Sequence, residues 1–288
     1  MKVAVIGGYG KMGLWFARWL LNQGKQVVIS GRDHRKVHEA AKQIGAEAAD
    51  SQSAVKHSDA VIISVPIDRF EDVVREIAGC TSPGQMIFDV TSVKAMPMEV
   101  MHRYIKNGTI LGVHPMFGPG ADGISGQRFV LTPTTPDEEK LADNTRKYLE
   151  EKGARVAVMP PAEHDELMAV VLGLSHFVAL AAGDTLASLG RLKQMRQISG
   201  TTFKVLLMLA ESVASEDADF YSALQMNLPG LENIERRFAD TAGKWLELVE
   251  KKDGAGFAQK MKGLKKRLSE EDPDFEKAYK DMYRLLKQ

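Results

Sequence analysis

The sequence is nearly without cysteine. Of its 288 residues only Cys80 carries a thiol. One thiol cannot form an intramolecular disulfide, which excludes the class of small secreted domains that depend on disulfide bridges. At this length the chain can instead bury the cores of two domains. We therefore expect a protein of the reducing cytoplasm.

The sequence also lacks an excess of charge of either sign. Lys and Arg together number 38, as do Asp and Glu, so the formal net charge is zero. Such a chain creates no long-range field that would attract nucleic acid or an anionic membrane, and any anion site must be local. We expect no nucleic-acid partner, no membrane partner and no metal.

Long apolar runs are missing as well. The longest, residues 169–182, contains Ser175 and His176 and is shorter than the ~20 residues that span a bilayer. The N-terminal sequence MKVAVIGGYG is interrupted by glycine too early for a signal peptide. We expect the apolar run to be a buried helix of a soluble protein, with His176 as a core residue.

What the first half does contain is an alternation of short β-branched runs with amphipathic patterns. The predicted strands are residues 3–6, 27–30, 60–65, 86–90 and 110–113, with edge strands at 128–131 and 155–159. The predicted helices are residues 12–21, 35–44, 69–78, 96–105 and 137–152. Strands and helices that alternate with short connections are typical of a doubly wound parallel sheet. We therefore predict a Rossmann-type α/β domain.

The character of the sequence changes at Pro160. The pattern beyond it is helical, and residues 164–189 and 194–212 are more apolar than a single solvent-facing helix requires. A surplus apolar face is typical of a helical domain that packs against another subunit. We predict a Rossmann domain over residues 1–160, an all-helical substrate and dimerisation domain over residues 161–288, and a homodimer.

A glycine loop, GGYGKMG, follows the first predicted strand and opens the first predicted helix. In a GxGxxG loop in this context the first glycine makes the tight turn, the second lets the backbone approach a pyrophosphate, and the third allows close packing of helix on strand. The loop is therefore expected to bind phosphates at the helix N-terminus. Its predicted contacts are Gly8, Tyr9, Gly10, Lys11, Met12 and Gly13.

The end of the second strand, in VVISGRDHRK, indicates which dinucleotide is bound. An NAD site usually has Asp or Glu here to bond the ribose 2′-hydroxyl, whereas this chain has Gly31 followed by Arg32. A guanidinium can bind a 2′-phosphate through paired hydrogen bonds. We predict NADP rather than NAD, with Ser30, Arg32 and Arg35 at the phosphate and Asp33 as the cap of the next helix. Alternatively, the arginines only decorate a helix N-terminus.

A third cofactor contact is expected at Ser64, Val65 and Pro66, where the strand over residues 60–65 ends. Ligands of doubly wound sheets bind at the carboxyl ends of the strands. These residues are therefore predicted to lie beside the nicotinamide ribose. The proline can also simply begin a helix, which would not prevent that contact.

Residues suited to chemistry follow the next two strands. Ser92, in DVTSVK, offers a hydroxyl and Lys94 a charge, while His114 can act as a base near neutral pH. Carboxyl ends of neighbouring parallel strands meet at one edge of the sheet, so these side chains should share a crevice. Pro115 and Pro119 are expected to stiffen the turn that holds the imidazole. A lone histidine is more often structural, but its position beside a nicotinamide site favours catalysis by His114 and Ser92.

Together the sequences GGYGKMG, DVTSVK, GVHPMFGP and AEHDELMAVVLGLSHF resemble the prephenate dehydrogenase family over nearly the whole chain. HPMFGP and the helix with HD and HF are specific motifs, whereas the glycine loop is not. The resemblance implies oxidation of prephenate, or of its amino analogue arogenate, with loss of carbon dioxide. It also implies that His114 is the catalytic histidine, that Ser92 binds the substrate hydroxyl, and that the helical domain forms a dimer.

The resemblance raises a question about the substrate carboxylate. Family members bind it with an arginine on a later helix, and the corresponding residue in GTTFKVLLMLAE is Lys204. A lysine retains the charge but loses the bidentate fork, so either Lys204 or Arg196 is expected to bind the carboxylate. We also expect His164 near the substrate, while a cap of its own helix is the simpler role for Asp165.

The function expected on these grounds is the oxidation of prephenate to 4-hydroxyphenylpyruvate with NADP, in tyrosine biosynthesis. Arogenate dehydrogenase is one alternative. Another is an NADP oxidoreductase of the β-hydroxyacid dehydrogenase or imine reductase type, although such chains usually place a lysine or a serine/threonine set on the helical side and lack HPMFGP. A third is a non-catalytic NADP-sensing protein, which would keep Gly8, Gly10 and Arg32 but would not need His114.

Overall fold

The structure is a computed structural model that describes residues 1–286. The chain divides into two compact units. The first comprises Met1–Met168 and Ser222–Pro229, and the second comprises Ala169–Tyr221 and the chain from Gly230 onward.

The first unit contains one eight-stranded sheet. Its strands are β1 (Lys2–Ile6), β2 (Gln26–Ser30), β3 (Glu47–Ala48), β4 (Ala60–Ile63), β5 (Met86–Asp89), β6 (Thr109–Pro115), β7 (Arg128–Thr132) and β8 (Arg155–Val158). Their order is β3-β2-β1-β4-β5-β6-β7-β8. All neighbouring strands run parallel except β6 and β7, which are antiparallel. The predicted doubly wound sheet is confirmed, with one antiparallel pairing added near its edge.

Seven helices begin within the first segment of this unit. They are α1 (Lys11–Asn22), α2 (His34–Ile44), α3 (Ser51–Lys56), α4 (Phe70–Ile77), α5 (Ala95–Tyr104), α6 (Pro136–Glu150) and α7 (Pro161–Met168). The five helices predicted before residue 160 are confirmed to within two residues at each end. The sequence did not predict β3 or α3, because two residues and six residues are too short to establish a hydrophobic period.

The core of the first unit lies on both faces of the sheet. Along β1, Val3 and Val5 belong to one apolar cluster and Ala4 and Ile6 to the other, as expected when successive side chains of a strand point to opposite faces. Burial of each Val or Ile side chain contributes about 1.5–3 kcal/mol. A strand anchored on both faces gives the glycine loop that follows it a rigid base.

The second unit is helical. Its helices are α8 (Ser175–Ser188), α9 (Leu192–Gln197), α10 (Thr201–Ala214), α11 (Ala218–Asn227), of which part belongs to the first unit, α12 (Leu231–Glu250), α13 (Gly254–Glu271) and α14 (Ala278–Leu285). The predicted helix over residues 194–212 is in fact two helices, α9 and α10, separated at residues 198–200. Gly200, at the end of that break, is a weak helix former.

A single long helix, Pro161–Ser188, consists of α7, a π-helical turn at Ala169–Leu174, and α8. Its 28 residues and mean hydropathy of 1.7 make it long and apolar enough, by length and composition alone, to cross a membrane. The expectation of a short buried helix was wrong, since only 22% of its most apolar window is buried and Val170 and Val171 are about half exposed. The apolar residues of α8 are not confined to one face of the helix. Packing of one face therefore leaves apolar residues on the others uncovered.

Candidate active site

His114 lies within a strand and not in the loop that the sequence predicted. Strand β6 continues through His114 and Pro115, and His114 is paired with Val130 of the antiparallel neighbour β7. That pairing extends β6 two residues beyond its predicted end. The backbone of the histidine is therefore fixed by the sheet, and its side chain is only 5% exposed.

The loop after β6 is held by aromatic packing. The ring of Phe117 lies 4.9 Å from that of Trp15, on α1, and 5.3 Å from that of Phe129, on β7. The indole Nε1 of Trp15 donates a hydrogen bond to the carbonyl of Ala121 at 2.7 Å. The helix that follows the glycine loop thus anchors the loop that follows the histidine.

Two histidines and a carboxylate form a buried chain. Nδ1 of His164 lies 2.7 Å from Oδ1 of Asp165, and Nε2 of His164 lies 2.8 Å from Nδ1 of His114. Because a carboxylate only accepts, Nδ1 of His164 carries a hydrogen, and the neutral ring accepts at Nε2 the hydrogen of His114 Nδ1. Nε2 of His114 is then the basic nitrogen.

The same geometry corrects the expectation for His164. Its side chain is fully buried, and both ring nitrogens are already used within the protein. No nitrogen is left to bind a substrate directly. His164 instead stands behind His114 and holds that ring in one tautomer, as the carboxylate of a Ser-His-Asp triad does for its histidine.

Asp165 caps a helix other than its own. Its carboxylate accepts hydrogen bonds from the backbone N–H groups of Lys94, at 2.7 Å, and Ala95, at 2.8 Å, at the start of α5. The simpler expectation of a cap on its own helix was wrong, since α7 begins four residues earlier, at Pro161. Asp165 therefore joins the start of α5 to His164.

Lys94 does not offer its charge to the crevice, as the sequence suggested. Its ammonium is fully buried, forms an ion pair with Asp89 and donates a hydrogen bond to the carbonyl of Val113 at 3.1 Å. Gly112 makes room for it, since a Cβ there would lie 3.0 Å from Cδ of Lys94. Burial lowers the pKa of Lys94, and the neighbouring Asp89 opposes that shift.

The surroundings of His114 favour its neutral form. Burial first, and then the positive charge of Lys94, hold the pKa of His114 well below its ordinary value of 6.5. A neutral imidazole with one free ring nitrogen can accept a proton. The site therefore contains a base that is ready near neutral pH.

Ser92 is at the same end of the sheet as His114, because β5 and β6 are adjacent and parallel. Its loop is fixed by a hydrogen bond from Thr91 N to Asp89 Oδ1, at 2.8 Å, and by one from the Thr91 hydroxyl to Val93 O, at 2.9 Å. Ser92 itself is half-buried, and its hydroxyl forms no hydrogen bond within residues 1–286. That hydroxyl is available to a ligand.

The glycine loop turns one residue earlier than predicted. Gly7 has a φ of 83°, in the region that favours glycine, whereas Gly8 is not among the glycines of positive φ. The N–H groups of both residues donate to the carbonyl of Ser30, at 2.8 and 3.0 Å. A Cβ at Gly8 would instead meet Ile29 at 2.5 Å. The sequence assigned the turn to Gly8 and missed Gly7.

The end of β4 lies against this loop. A Cβ on Gly7 would lie 2.1 Å from the carbonyl oxygen of Ser64 and 3.1 Å from Cγ1 of Val65. Pro66 is exposed and precedes a short 3₁₀ turn, Ile67–Arg69. The structure thus brings Ser64 and Val65 to the point between β1 and β4 where the strand order reverses, and ligands of such sheets bind there.

The start of α1 is open to an anion. Gly10 precedes the helix and supplies no side-chain cap, and a Cβ on it would meet only the carbonyl of Gly7, at 3.2 Å. A Cβ on Gly13 would lie 2.3 Å from that carbonyl, so helix and loop pack closely, as predicted. Lys11 is exposed and Met12 packs against the core. Uncapped N–H groups at a helix start suit a phosphate, so these residues fit a dinucleotide.

The residues predicted at the 2′-phosphate differ in exposure. Ser30 is fully buried and its hydroxyl lies 2.9 Å from that of Ser51, so its side chain faces inward. Arg35 is exposed and forms an ion pair with Glu39 at 3.6 Å. Arg32 is exposed and forms no ion pair within the described part of the chain. Of the two arginines, Arg32 is therefore the one whose guanidinium is free for a ligand.

The two cations considered for the substrate carboxylate line one open pocket of about 590 Å³ in the second unit. They stand on different helices, Arg196 on α9 and Lys204 on α10. Arg196 forms an ion pair with Glu211. Lys204 is exposed and has no such pair among residues 1–286. The structure brings the two together and leaves Lys204 the more available.

His176 was expected to be a satisfied core residue, and that expectation was wrong. Its ring packs against Tyr221 with the centroids 4.6 Å apart, yet its Nδ1 is buried without a hydrogen-bond partner in the described residues. Burial lowers the pKa of His176. In the sequence, the only indication of this unsatisfied nitrogen was the presence of Ser175 and His176 inside an apolar run.

The fold and the glycine loop define a class. A sheet in this order, with a glycine loop at the point where the strand order reverses, is that of the dinucleotide-binding Rossmann proteins. Comparison with protein families agrees and goes further. The nucleotide-binding domain of prephenate dehydrogenase matches residues 16–158, and the dimerization domain of prephenate dehydrogenase matches residues 160–263.

Individual relatives lead to the same family. A probable arogenate/prephenate dehydrogenase of Methanocaldococcus jannaschii is 32% identical over 94% of this chain, which spans 62% of that relative's length. A 4-amino-4-deoxyprephenate dehydrogenase of Streptomyces pristinaespiralis is 25% identical over 99% of this chain and 97% of its own. The prephenate dehydrogenase of A. aeolicus, solved with hydroxyphenyl propionate and NAD+, shares the fold, with a TM-score of 0.77 at 22% identity over 94% and 98% of the two chains. The chain belongs to the prephenate dehydrogenase family.

Proposed function

We propose that this chain oxidises prephenate to 4-hydroxyphenylpyruvate and carbon dioxide, with hydride transfer to NADP. The observation that carries the proposal is the buried chain from Asp165 through His164 to His114. It provides a base of fixed tautomer at the carboxyl edge of a dinucleotide-binding sheet. The similarity to prephenate and arogenate dehydrogenases supports the substrate class.

The proton of the substrate hydroxyl is the one that His114 handles. Its free Nε2 accepts that proton while the C4 hydrogen leaves as hydride, and Ser92 donates a hydrogen bond that orients the hydroxyl. The imidazolium formed on His114 is stabilised by Asp165 through His164, as in other histidine–carboxylate pairs. Loss of the ring carboxylate as carbon dioxide makes the ring aromatic, and the proton returns from His114 to the phenolate oxygen.

The glycine loop is the proposed cofactor site. A nicotinamide dinucleotide, when bound, supplies the acceptor for the hydride. The N–H groups at the start of α1 bind its phosphates, with Gly10 leaving space for them, and Ser64 and Val65 lie where β4 ends beside the loop. Arg32 binds the 2′-phosphate, which favours NADP over NAD.

The substrate carboxylate is assigned to the pocket of the second unit. Lys204 is the proposed ligand because its ammonium is exposed and unpaired within the described residues, whereas Arg196 would first have to leave Glu211. Both alternatives keep one positive charge for the carboxylate, and they can be separated by mutation.

We further propose that the chain acts as a cytoplasmic homodimer. Residues 1–160 would form the NADP-binding domain and residues 161–288 the helical substrate and dimerisation domain. The two family matches meet at the same place in the chain, and the second is to a dimerization domain. The helix Pro161–Ser188 has exposed apolar residues, such as Val170, Val171 and Leu180. In the dimer these residues would be buried against the second copy and would not face a bilayer. Light scattering tests this assignment, and a monomer would contradict it.

The deciding experiment is a spectrophotometric assay of NADPH formation. Prephenate is expected to be the best substrate, with arogenate and 4-amino-4-deoxyprephenate as matched comparisons that replace an oxygen by nitrogen. Oxidation of arogenate alone would move the proposal to arogenate dehydrogenase. Reduction of an imine, or oxidation of a β-hydroxyacid, without activity on any cyclohexadiene would replace it. NADP binding with no turnover of any of these compounds would favour a sensing protein.

A further inference from the structure

At the cofactor end of the sheet, the ring of Tyr9 lies where a side chain at position 31 would be. Gly31 follows β2 at the position where an NAD site usually has its acidic residue. A Cβ on Gly31 would lie 2.5 Å from Cε1 and 2.8 Å from Cδ1 of Tyr9. Side chains do not approach so closely. The ring of Tyr9 therefore fills the volume that a side chain at position 31 would use.

Backbone conformation does not explain the glycine. Among the described residues, the glycines of positive φ do not include Gly31. An ordinary residue could adopt this backbone without strain. A larger residue at position 31 would therefore meet the Tyr9 ring and not an unfavourable φ.

The ring of Tyr9 is part of a structured surface. It is half-buried, packs against the core and lines an open pocket of about 340 Å³. The other lining residues come from α1 and from one face of α2, and are Leu14, Lys36, Glu39, Ala40 and Gln43. A side chain at position 31 would have to displace the ring from the end of β2.

We propose that Tyr9 and Gly31 act as one specificity element that prevents the ribose recognition typical of NAD sites. The ring takes the place of the carboxylate that would bond the 2′-hydroxyl, so Arg32 is left as the group that reads the 2′ position. This inference rests on the proposed function, because it assumes that the glycine loop binds a dinucleotide. It adds that an acidic residue at position 31 is not sufficient for NAD binding while Tyr9 is present.

The binding experiment uses the full-length protein and the variants Gly31→Asp, Tyr9→Ala and Tyr9→Ala/Gly31→Asp. The Kd of each for NAD and for NADP is measured by calorimetry, with no substrate present. Gly31→Asp alone is expected to bind both cofactors at least tenfold more weakly than wild type. The double variant is expected to bind NAD at least tenfold more tightly than either single variant does. A gain of NAD affinity in Gly31→Asp alone would overturn the proposal, as would a double variant no better than Gly31→Asp.

The contact itself is tested without any ligand. Gly31→Ala adds only the methyl group that meets the ring, and overpacking of this kind is expected to lower Tm by roughly 2–10 °C. In the Tyr9→Ala background the same substitution should have no such effect. Gly79→Ala is the matched control, since nothing lies within 4 Å of a Cβ there and its φ is not positive.

These two measurements separate the inference from the function on which it rests. If wild type binds neither NAD nor NADP, the proposed function fails and the specificity role fails with it. If wild type binds a dinucleotide but Gly31→Ala lowers Tm equally with and without Tyr9, only the Tyr9–Gly31 element is overturned.

Discussion

The residues around His114 and the cations assigned to ligand binding are held in opposite ways. The histidine cluster of His114, His164 and Asp165 is buried. The hydrogen bonds among these side chains, and from Asp165 to the backbone, join β6, α7 and the start of α5. Arg32 and Lys204 are exposed, and no ion pair within the described residues fixes them. One region is part of the protein core, and the other consists of separate side chains on its surface.

The difference teaches where function and stability are coupled. Removal of one partner in the histidine cluster leaves a buried polar group unsatisfied, which costs about 1–3 kcal/mol for each such group. Removal of an exposed cation leaves no such group. Changes in the cluster should therefore affect rate and stability together, whereas changes in the cations should affect affinity alone.

The largest effect is expected for His114→Asn. The asparagine keeps a polar side chain but cannot accept the hydroxyl proton, so kcat should fall by ~10²–10⁴-fold, the usual share of general base catalysis. Steady-state kinetics with prephenate and NADP measure it. His57→Asn, at an exposed histidine that bonds only within its own helix region, is the control. A near-native kcat in His114→Asn would make His114 a structural residue.

Asp165→Asn tests the coupling directly. An amide has one accepting oxygen where the carboxylate has two, so one of the bonds that Lys94 and Ala95 donate is lost. The free energy of unfolding should therefore fall by about 1–3 kcal/mol. The kcat should also fall by ~10–100-fold, as for other residues that orient a functional histidine. Asp33→Asn is the matched control, because Asp33 caps α2 at an exposed position where asparagine serves equally well. Loss of stability with unchanged kcat would separate the cap from the chemistry.

Lys204→Ala should raise the KM for prephenate by roughly tenfold or more and leave NADP affinity and Tm unchanged. The reason is the loss of one hydrogen bond to a charged group, worth about 1.5–3 kcal/mol. Arg196→Ala is measured beside it, and Lys193→Ala, an exposed lysine on α9 outside the pocket, serves as the control. If only Arg196→Ala raises KM, the carboxylate ligand is the arginine.

Arg32→Ala should weaken NADP by roughly tenfold or more for the same reason, with little change for NAD. NAD is itself the control here, because it lacks the 2′-phosphate. Calorimetric Kd values for both cofactors give the answer. An equal loss for the two would show that Arg32 does not read the 2′ position.

The smallest expected effect is a displaced pH profile. Only neutral His114 accepts a proton, and its pKa is held well below 6.5. The acid limb of kcat/KM should therefore have its midpoint below pH 6.5 and be absent from His114→Asn. Stability follows the same sign. Below pH 6.5 the unfolded chain protonates this histidine while the folded chain does not, so the free energy of unfolding should fall as the pH is lowered. A kinetic midpoint above pH 6.5 would contradict the first statement, and a free energy of unfolding that does not fall below pH 6.5 would contradict the second.

Much of the fold could be predicted from the sequence because its signals are local. The glycine loop, the alternation of strands and helices, and helix ends such as the Asp33 cap of α2 all lie within a few residues of the structure they determine. The strand order and its one antiparallel pairing need contacts between distant segments. Chain periodicity does not report those contacts.

The site was predicted only in part for the same reason. His114 and Ser92 could be placed at strand ends, but the cap that Asp165 provides joins residues 71 positions apart in the chain. One local signal did exist. Lys94 occupies the cap position of α5 and has no acceptor to offer, which indicates that the cap comes from another part of the chain. The inward turn of Lys94 onto Asp89 had no such signal.

The distance along the chain between α5 and its cap has a consequence for synthesis. A ribosome makes the chain from the N-terminus, so α5 is synthesised before Asp165. Until then the first N–H groups of α5 form hydrogen bonds with water or with a chaperone. A fragment that stops at residue 160 would contain every strand of the sheet but would lack the Asp165 cap. His114 would also lack its hydrogen bond to the ring of His164. A fragment intended to keep this cap and the His164 ring must therefore extend at least to the end of α7, at Met168.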